Sequence, residues 1–177
     1  MKSAKSEISQ DIRAPYYHKR VREHGQKYPH FHWPSVEVFM SLVYTYHRIE
    51  DNVEGLFNQH GLSRAGFNAL MIVSRSHSQG CKQQEISKFL LVSRANVSGL
   101  IEGLINQGLV VRTEHPSDRR AFIIRTSKKA NILLKRLLPK YYKLIRGLLL
   151  TLDAAQKSHL KSLLKMVCIK MDHKSRS

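Results

Sequence analysis

The sequence has few acidic residues, only two cysteines and no long apolar run, and each shortage argues against a class of protein. Asp and Glu number 13 against 30 Lys and Arg, so the formal net charge is +17 with neutral histidines. Such an excess favours a polyanionic partner, either nucleic acid or an acidic membrane surface, although basic charge also serves solubility alone. No apolar run approaches the roughly 18 residues that span a bilayer. We therefore predict a soluble chain without a membrane segment.

The sequence also lacks cysteine motifs, a secretion signal and the motifs of common enzymes. Cys81 and Cys168 show neither metal-ligand spacing nor a disulfide framework, which suits a reducing compartment, and residues 1–10 lack the apolar segment of a secretion signal. We predict a cytoplasmic protein. Ten histidines invite a metal hypothesis, but no pair has strong ligand spacing, so we expect no metal and no cofactor. Without a nucleophile elbow, a phosphate loop or paired carboxylates, we expect no enzyme.

Apolar periodicity divides the rest of the chain. Residues 1–33 form a polar extension with several aromatics, either an extra helix or an arm that touches DNA. Residues 34–60 have helical spacing and end near Gly61. Residues 127–172 are helical again and carry more apolar surface than one small domain covers, which predicts a dimerisation element there; residues 173–177 are a polar tail. Pro139 should kink or break the first C-terminal helix.

The middle of the chain has the pattern of a helix-turn-helix. Residues 83–90 predict a short helix, and a bridge leads to Ser93, which is placed to cap a second helix over 94–107. In that second helix apolar residues recur at i, i+3, i+4 and i+7, which predicts one buried stripe and leaves the other face exposed. Gly108 follows, where a left-handed residue commonly ends a helix.

A hairpin follows these two helices. Residues 109–115 and 121–126 are rich in β-branched and apolar side chains, and the segment Pro116-Ser117-Asp118-Arg119-Arg120 between them predicts a turn. A helix-turn-helix followed by a hairpin is a winged helix, here over residues 63–126. We therefore predict a mainly α (α+β) fold, a winged helix-turn-helix with a two-stranded wing and with N- and C-terminal helical dimerisation elements.

Three segments resemble the MarR family of transcriptional regulators. They are HGLSRAGFNALMIV at 60–73, EISKFLLVSRANVSGLIEGLINQGLVVR at 85–112 and PSDRRAFIIRT at 116–126, and the Asp-Arg-Arg of the last is the most specific part. The resemblance assigns residues 34–172 to a MarR-type domain. It implies a homodimer in which the dimerisation helices over residues 34–60 and 127–172 interlock and two winged helices bind a pseudo-palindromic operator on double-stranded DNA. It further implies a repressor that a small-molecule effector releases.

Candidate DNA contacts lie on the second helix of the helix-turn-helix. An α-helix fits the major groove, where base edges are distinguishable, so the polar residues Arg94, Asn96 and Ser98 are the candidates. Asn pairs with adenine, and Arg pairs with guanine or a phosphate. Two assignments stay open: Ser93 either caps the helix or contacts a base, and Asn96 either reads a base or only solvates the helix.

The wing supplies a second set of candidates. An arginine on a hairpin fits the minor groove, whose negative potential deepens where A·T sequence narrows it. We assign Arg120 to the minor groove and Arg119 to the backbone, and Lys128, near the wing, to a phosphate. The family resemblance implies that Asp118 braces Arg120 or Arg119 in an extended pose.

Two other classes of function remain open at this point. One is a basic RNA- or ribosome-associated winged-helix protein, and the other is a winged helix that binds only protein. The Asp-Arg-Arg wing favours the DNA-binding regulator, because neither alternative needs a braced arginine on a hairpin. The effector, whether a phenolic compound, a metal or an oxidant, and the operator sequence stay undetermined.

Overall fold

The computed structural model describes residues 13–76, 80–90, 94–115 and 118–174, and of residues 13–17, 94–95, 115, 118–121 and 170–174 it describes the backbone alone. The helices are α1 (Arg13–Gly25), α2 (Trp33–Asn58), α3 (Arg64–Arg75), α4 (Gln83–Leu90), α5 (Arg94–Asn106), α6 (Lys128–Leu148) and α7 (Ala154–Lys174). The strands are β1 (Cys81–Lys82), β2 (Val110–His115) and β3 (Asp118–Thr126). The predicted helix-rich winged fold is confirmed.

The chain forms two compact units, Met1–Glu50 and Asp51–Ser177, which divide within α2. In the first unit α1 packs on the start of α2. The Trp33 ring meets the edge of His18 at 5.8 Å between ring centroids, and the Arg22 guanidinium lies 5.6 Å from the Trp33 centroid. The N-terminal extension therefore contains a helix, while its role at a dimer interface or against DNA stays a prediction, as do the predicted domain boundaries.

The second unit encloses one apolar core between α3, α4, α5, the sheet and parts of α2 and α6. At one end of this core Phe57 of α2 stacks on Phe67 of α3, with ring centroids 4.1 Å apart, and both rings contact Tyr141 of α6 at 5.6 and 5.1 Å. The buried members are Val53, Phe57, Leu62, Phe67, Ala69, Leu70, Val73, Cys81, Ile86, Val97, Ile101, Leu104, Leu109, Val110, Ile124, Ala130, Leu134 and Leu137.

Side-chain hydrogen bonds cap the N-termini of three helices of this unit. Ser63 caps α3 as predicted, because its Oγ accepts a hydrogen bond from the backbone N–H of Gly66 at 3.0 Å. Ser127 caps α6 by accepting from the N–H of Ala130. Asp153 and Gln156 form a reciprocal pair at the start of α7, in which each side chain accepts from the other's backbone N–H.

The sheet is antiparallel with strand order β1-β3-β2. The predicted two-stranded wing is present as β2 and β3, but the two-residue strand β1 was not predicted, because so short a strand leaves no alternation in the sequence. The predicted turn over residues 116–120 was too long. Strand β3 already begins at Asp118, which pairs with His115 beyond an irregularity after Glu114. Pro116 and Ser117 lie outside the described residues.

Pro139 does not end α6, which is continuous from Lys128 to Leu148. A proline inside a helix removes one backbone hydrogen bond to the residue four positions earlier. That residue, Lys135, is exposed like Pro139 itself, so the missing hydrogen bond lies on the solvent side of α6. The predicted break at Pro139 was therefore wrong.

Replacing Gly80 with alanine is expected to destabilise the second unit by roughly 2–5 kcal/mol, from its positive φ and a steric clash together. Gly80 has φ +70°, and a Cβ there would lie 2.6 Å from both Ile123 Cγ2 and the carbonyl oxygen of Ile124. Gly61 is the matched control, because it has φ +68° and open space around its Cβ position. G61A should cost only about 1–2 kcal/mol in urea unfolding. Equal losses for the two variants would contradict the clash.

In the part of the chain that the structure describes, no helix has the length and apolar character needed to cross a membrane. Within the same residues, no three His, Cys, Asp or Glu side chains are grouped so that they could hold a metal ion.

Candidate nucleic-acid interface

Helix α5 has one buried and one exposed face. Val97 and Ile101 are fully buried and Leu104 nearly so, whereas Asn96 and Glu102 are exposed. The stripe predicted from the sequence is thus the side that packs on the core, and the opposite side is available to a partner. This is the geometry that a major-groove helix requires.

The predicted recognition residues differ in how the structure places them. Asn96 lies on the exposed face of α5, and Arg94 is the first residue of the helix, with its backbone alone described. Ser98 is half-buried, and its Oγ accepts a hydrogen bond from Gln83 Nε2 at 2.6 Å. Ser93 lies outside the described residues. The base-reading roles of all four stay predictions.

The Gln83–Ser98 hydrogen bond joins the two helices of the helix-turn-helix. Gln83 is the first residue of α4, so the bond fixes that end of α4 on α5. Sequence reasoning missed Gln83, since a glutamine at the start of a short helix has many possible partners. The contact indicates that Ser98 orients α5 in addition to any contact it makes with DNA.

The C-terminal end of α5 is held by a set of local hydrogen bonds. Gly108 has φ 68°, and the N–H of Leu109 donates to the Leu104 carbonyl at 2.9 Å, as in a Schellman motif. Lys129 Nζ donates to the Gln107 carbonyl at 2.7 Å. A cation at a helix C-terminus is favourable, so Lys129 stabilises α5. Lys128 is exposed at the start of α6, as its predicted phosphate contact requires.

The wing places both candidate arginines on β3. Asp118, Arg119 and Arg120 form the first residues of that strand, next to the hairpin tip, with their backbones alone described. The assignments of Arg120 to the minor groove and of Arg119 to the backbone stay predictions, as does the brace by Asp118.

A contact between α5 and the wing escaped the sequence analysis. Arg112 Nη2 of β2 donates to Glu102 Oε1 of α5 at 2.6 Å. The same guanidinium lies 5.5 Å from the ring centroid of Phe122 on β3. Glu102 and Arg112 are 10 positions apart in the sequence, and so are Arg112 and Phe122. Only the packing of the hairpin on the helix shows that the three side chains meet.

Cys81 is buried at the start of β1, beneath the helix-turn-helix. Burial raises the pKa of the Cys81 thiol, the Glu85 carboxylate raises it further, and a hydrogen bond with Ser76 acts in the opposite direction. The thiolate is the nucleophilic form of cysteine, so the buried thiol is poorly reactive. Cys168 on α7 is exposed.

Cys81 is expected to resist thiol reagents in the folded protein. The variant C168S should react slowly with Ellman's reagent at pH 8 and rapidly once urea unfolds it, while C81S reports Cys168 alone. The pKa of a cysteine in the unfolded chain is about 8.5, and below that pH the neutral Cys81 thiol contributes fully to stability. That contribution is lost as the pH rises through the higher pKa that Cys81 has in the folded protein. Rapid reaction of folded C168S would contradict the inert assignment.

These elements define the class of protein: a winged helix-turn-helix with an exposed recognition helix and a basic hairpin beside it. The MarR family model matches residues 60–121. The HTH-type transcriptional repressor YetL of Bacillus subtilis is 27% identical over 132 residues, which cover 75% of this chain and 79% of YetL. The transcriptional repressor MprA of Escherichia coli is 21% identical over 81% of this chain and 82% of its own length.

Solved structures agree on the fold. A MarR family transcriptional regulator from Streptomyces coelicolor, in complex with DNA, superposes with a TM-score of 0.73 at 19% identity, over 78% of this chain and 88% of its own. BpsR of Bordetella bronchiseptica superposes with a TM-score of 0.65 at 21% identity, over 74% and 92%. Residues 60–121 thus match the MarR family, and over about three quarters of its length the chain is similar to DNA-binding transcriptional regulators of that type, as its sequence predicted.

Proposed function

We propose that this protein is a homodimeric repressor that binds a pseudo-palindromic operator in double-stranded DNA and leaves it when a small-molecule effector binds. One observation supports the proposal most. The exposed face of α5 carries Asn96 opposite its buried stripe, and the hairpin that follows carries Arg119 and Arg120 next to its tip. In this arrangement α5 enters the major groove and the wing contacts the adjacent minor groove.

The homodimer is supported by apolar surface that one copy leaves uncovered. In the second unit, α7 exposes large apolar side chains along much of its length, and an exposed apolar surface of this size usually marks an interface. They include Leu160, Leu163, Leu164, Met166, Val167 and Ile169, which are 39–67% exposed. A second copy that covers α7 brings two winged helices together, and twofold symmetry then matches a pseudo-palindromic site.

The effector class is supported by two structural neighbours. The DNA binding of BpsR is regulated by 6-hydroxynicotinic acid, and CouR of Rhodococcus jostii was solved bound to p-coumaroyl-CoA. Both ligands contain an aromatic ring and at least one acidic group. We therefore propose small aromatic acids as the first class of effector to test for this protein. Metals and oxidants are the other classes to test.

The proposal assigns the chain no catalytic activity, because its relatives are transcriptional regulators. It also places the protein in the cytoplasm, where a bacterial regulator meets the chromosome. We propose repression because the similar proteins YetL and MprA are transcriptional repressors.

A gel shift on DNA from beside the protein's own gene tests the function at two salt concentrations. The proposal predicts a dimer that prefers one fragment over unrelated DNA and weakens as salt rises, because bound phosphates release counterions. Binding to RNA with no preference among DNA sequences would favour the RNA-associated alternative. Absence of any nucleic-acid binding would favour a protein-binding winged helix. Adding aromatic acids to the bound dimer then tests release.

A further inference from the structure

Arg112 joins the recognition helix to the wing. It stands on β2, its guanidinium donates to Glu102 of α5 at 2.6 Å, and its planar head lies 5.5 Å from the Phe122 ring on β3. Each strand of the hairpin and the helix therefore contribute one residue to the same contact. We call these residues the Arg112 clasp.

The clasp is poorly explained by stability alone. The Arg112 and Glu102 side chains are 30% and 52% exposed, and surface ion pairs contribute little to folding because water screens them. Phe122 is 46% exposed, so its ring is not held by the core. The contact with the Arg112 guanidinium explains a large aromatic ring at this exposed position, because arginine stacks favourably on aromatic faces.

The register of the hairpin explains why these residues meet. Arg112 pairs with Ile124, so Phe122 is its diagonal neighbour, two positions nearer the tip of β3. The base of the hairpin is already fixed by the Schellman motif at the end of α5, where Leu109 leads into β2. Arg112 makes a second connection to α5 three residues further along. Pairing with β1 holds β3 from its other edge, at Ile123 and Ile124, so the clasp is the attachment that joins the hairpin to the exposed side of α5.

The position of the hairpin relative to α5 is important for the proposed function. The recognition helix binds the major groove and the wing arginine binds the adjacent minor groove. The two contacts add their full affinity only when both fit without rearrangement, because ordering the wing on binding costs affinity. The clasp also pairs the carboxylate of Glu102, which stands on the exposed side of α5 and would otherwise repel phosphates.

We propose that Arg112 is a positioning residue for DNA binding, which presets the wing relative to the recognition helix through Glu102 and Phe122. This inference rests on the proposed DNA-binding function. Arg112 makes no contact with DNA in this account. Its loss therefore lowers affinity by uncoupling the wing from the helix, and it leaves the number of neutralised phosphates unchanged.

The test measures operator affinity by fluorescence anisotropy across a salt series for wild type, R112A, R112K and R146A. R112A should weaken binding about ten-fold with an unchanged slope of log K against log salt. R112K, which keeps the charge without the planar head, should fall between R112A and wild type. R146A, an exposed arginine on α6, should bind as wild type. A slope smaller by about 1 in R112A would mean a direct phosphate contact and would overturn the proposal.

A double-mutant cycle with the wing tests the coupling itself. If Arg112 presets the wing, R120A should cost much less affinity in the R112A background than in wild type. Equal costs in both backgrounds, or an R112A that binds as wild type, would refute the positioning role while leaving the regulator intact. Failure of the wild-type protein to bind DNA selectively would instead remove the proposed function, and the positioning role with it.

Discussion

Alanine at Arg120 is expected to lower the affinity for the operator by about ten-fold or more, within the range for loss of one DNA-contacting arginine. Arg120 lies on β3 close to the hairpin tip, where its side chain is assigned to the minor groove. The negative potential of a narrow A·T-rich minor groove makes this contact specific to sequence as well as to charge. The affinity is measured by anisotropy with an operator duplex and with a duplex whose A·T flank is replaced by G·C.

Three control variants separate the wing assignments. R119A should weaken binding less and equally on both duplexes, because a backbone contact carries no sequence information. D118A should resemble a weaker R120A if Asp118 braces Arg120, and R146A on α6 should change nothing. Thermal unfolding temperatures should match wild type for all of them. An R120A protein that is folded and binds with wild-type affinity would contradict the minor-groove assignment.

Alanine at Phe57 is expected to reduce the free energy of unfolding by about 3–5 kcal/mol, the usual cost of emptying a large aromatic site in a core. Phe57 is 1% exposed and stacks on Phe67, and both rings contact Tyr141. The three rings join α2, α3 and α6, so the cavity opens where the C-terminal helix meets the winged helix. Urea unfolding at one fixed protein concentration measures the loss, because the stability of the proposed dimer depends on concentration.

Phe89 supplies the matched control for this substitution. It has the same side chain on α4 but is 69% exposed, so F89A should change the free energy of unfolding by no more than about 0.5 kcal/mol. A similar loss in the two variants would show that the aromatic cluster around Phe57 is not a core element.

Local signals explain why much of the fold was predictable. The α4 helix over 83–90, the cap at Ser63 and the positive φ at Gly61 and Gly108 each depend on residues within about four positions. The wing was recognisable because Asp118, Arg119 and Arg120 follow a β-branched run. These features arise from hydrogen bonds and dihedral preferences that act before any tertiary packing.

The features that escaped prediction depend on distant contacts. Strand β1 exists because Cys81 pairs with Ile124, and β3 reaches back to Asp118 because His115 lies opposite. Pro139 lies inside a continuous α6, on the exposed side of that helix. No local sequence pattern predicts these features, because each depends on which residues the completed fold brings next to it.

The candidate site divides along the same line. Residue types and spacing indicated Asn96 on the exposed face of α5 and arginines on a wing, and the structure places both sets accordingly. Sequence reasoning did not foresee that Gln83 binds Ser98 or that Arg112 binds Glu102. Both contacts lie between elements, and their partners were fixed only when α4, α5 and the hairpin packed together.

Hydroxyl-radical footprinting of the proposed dimer on its operator tests the central claim most directly. A pair of winged helices related by twofold symmetry should protect two half-sites whose centres lie about one helical turn, or ~10 base pairs, apart. Protection of the minor-groove sugars at the outer edge of each half-site should disappear in R120A, while protection of the backbone on either side of α5 persists. A single unsymmetrical footprint, or a pattern that R120A leaves unchanged, would contradict the account.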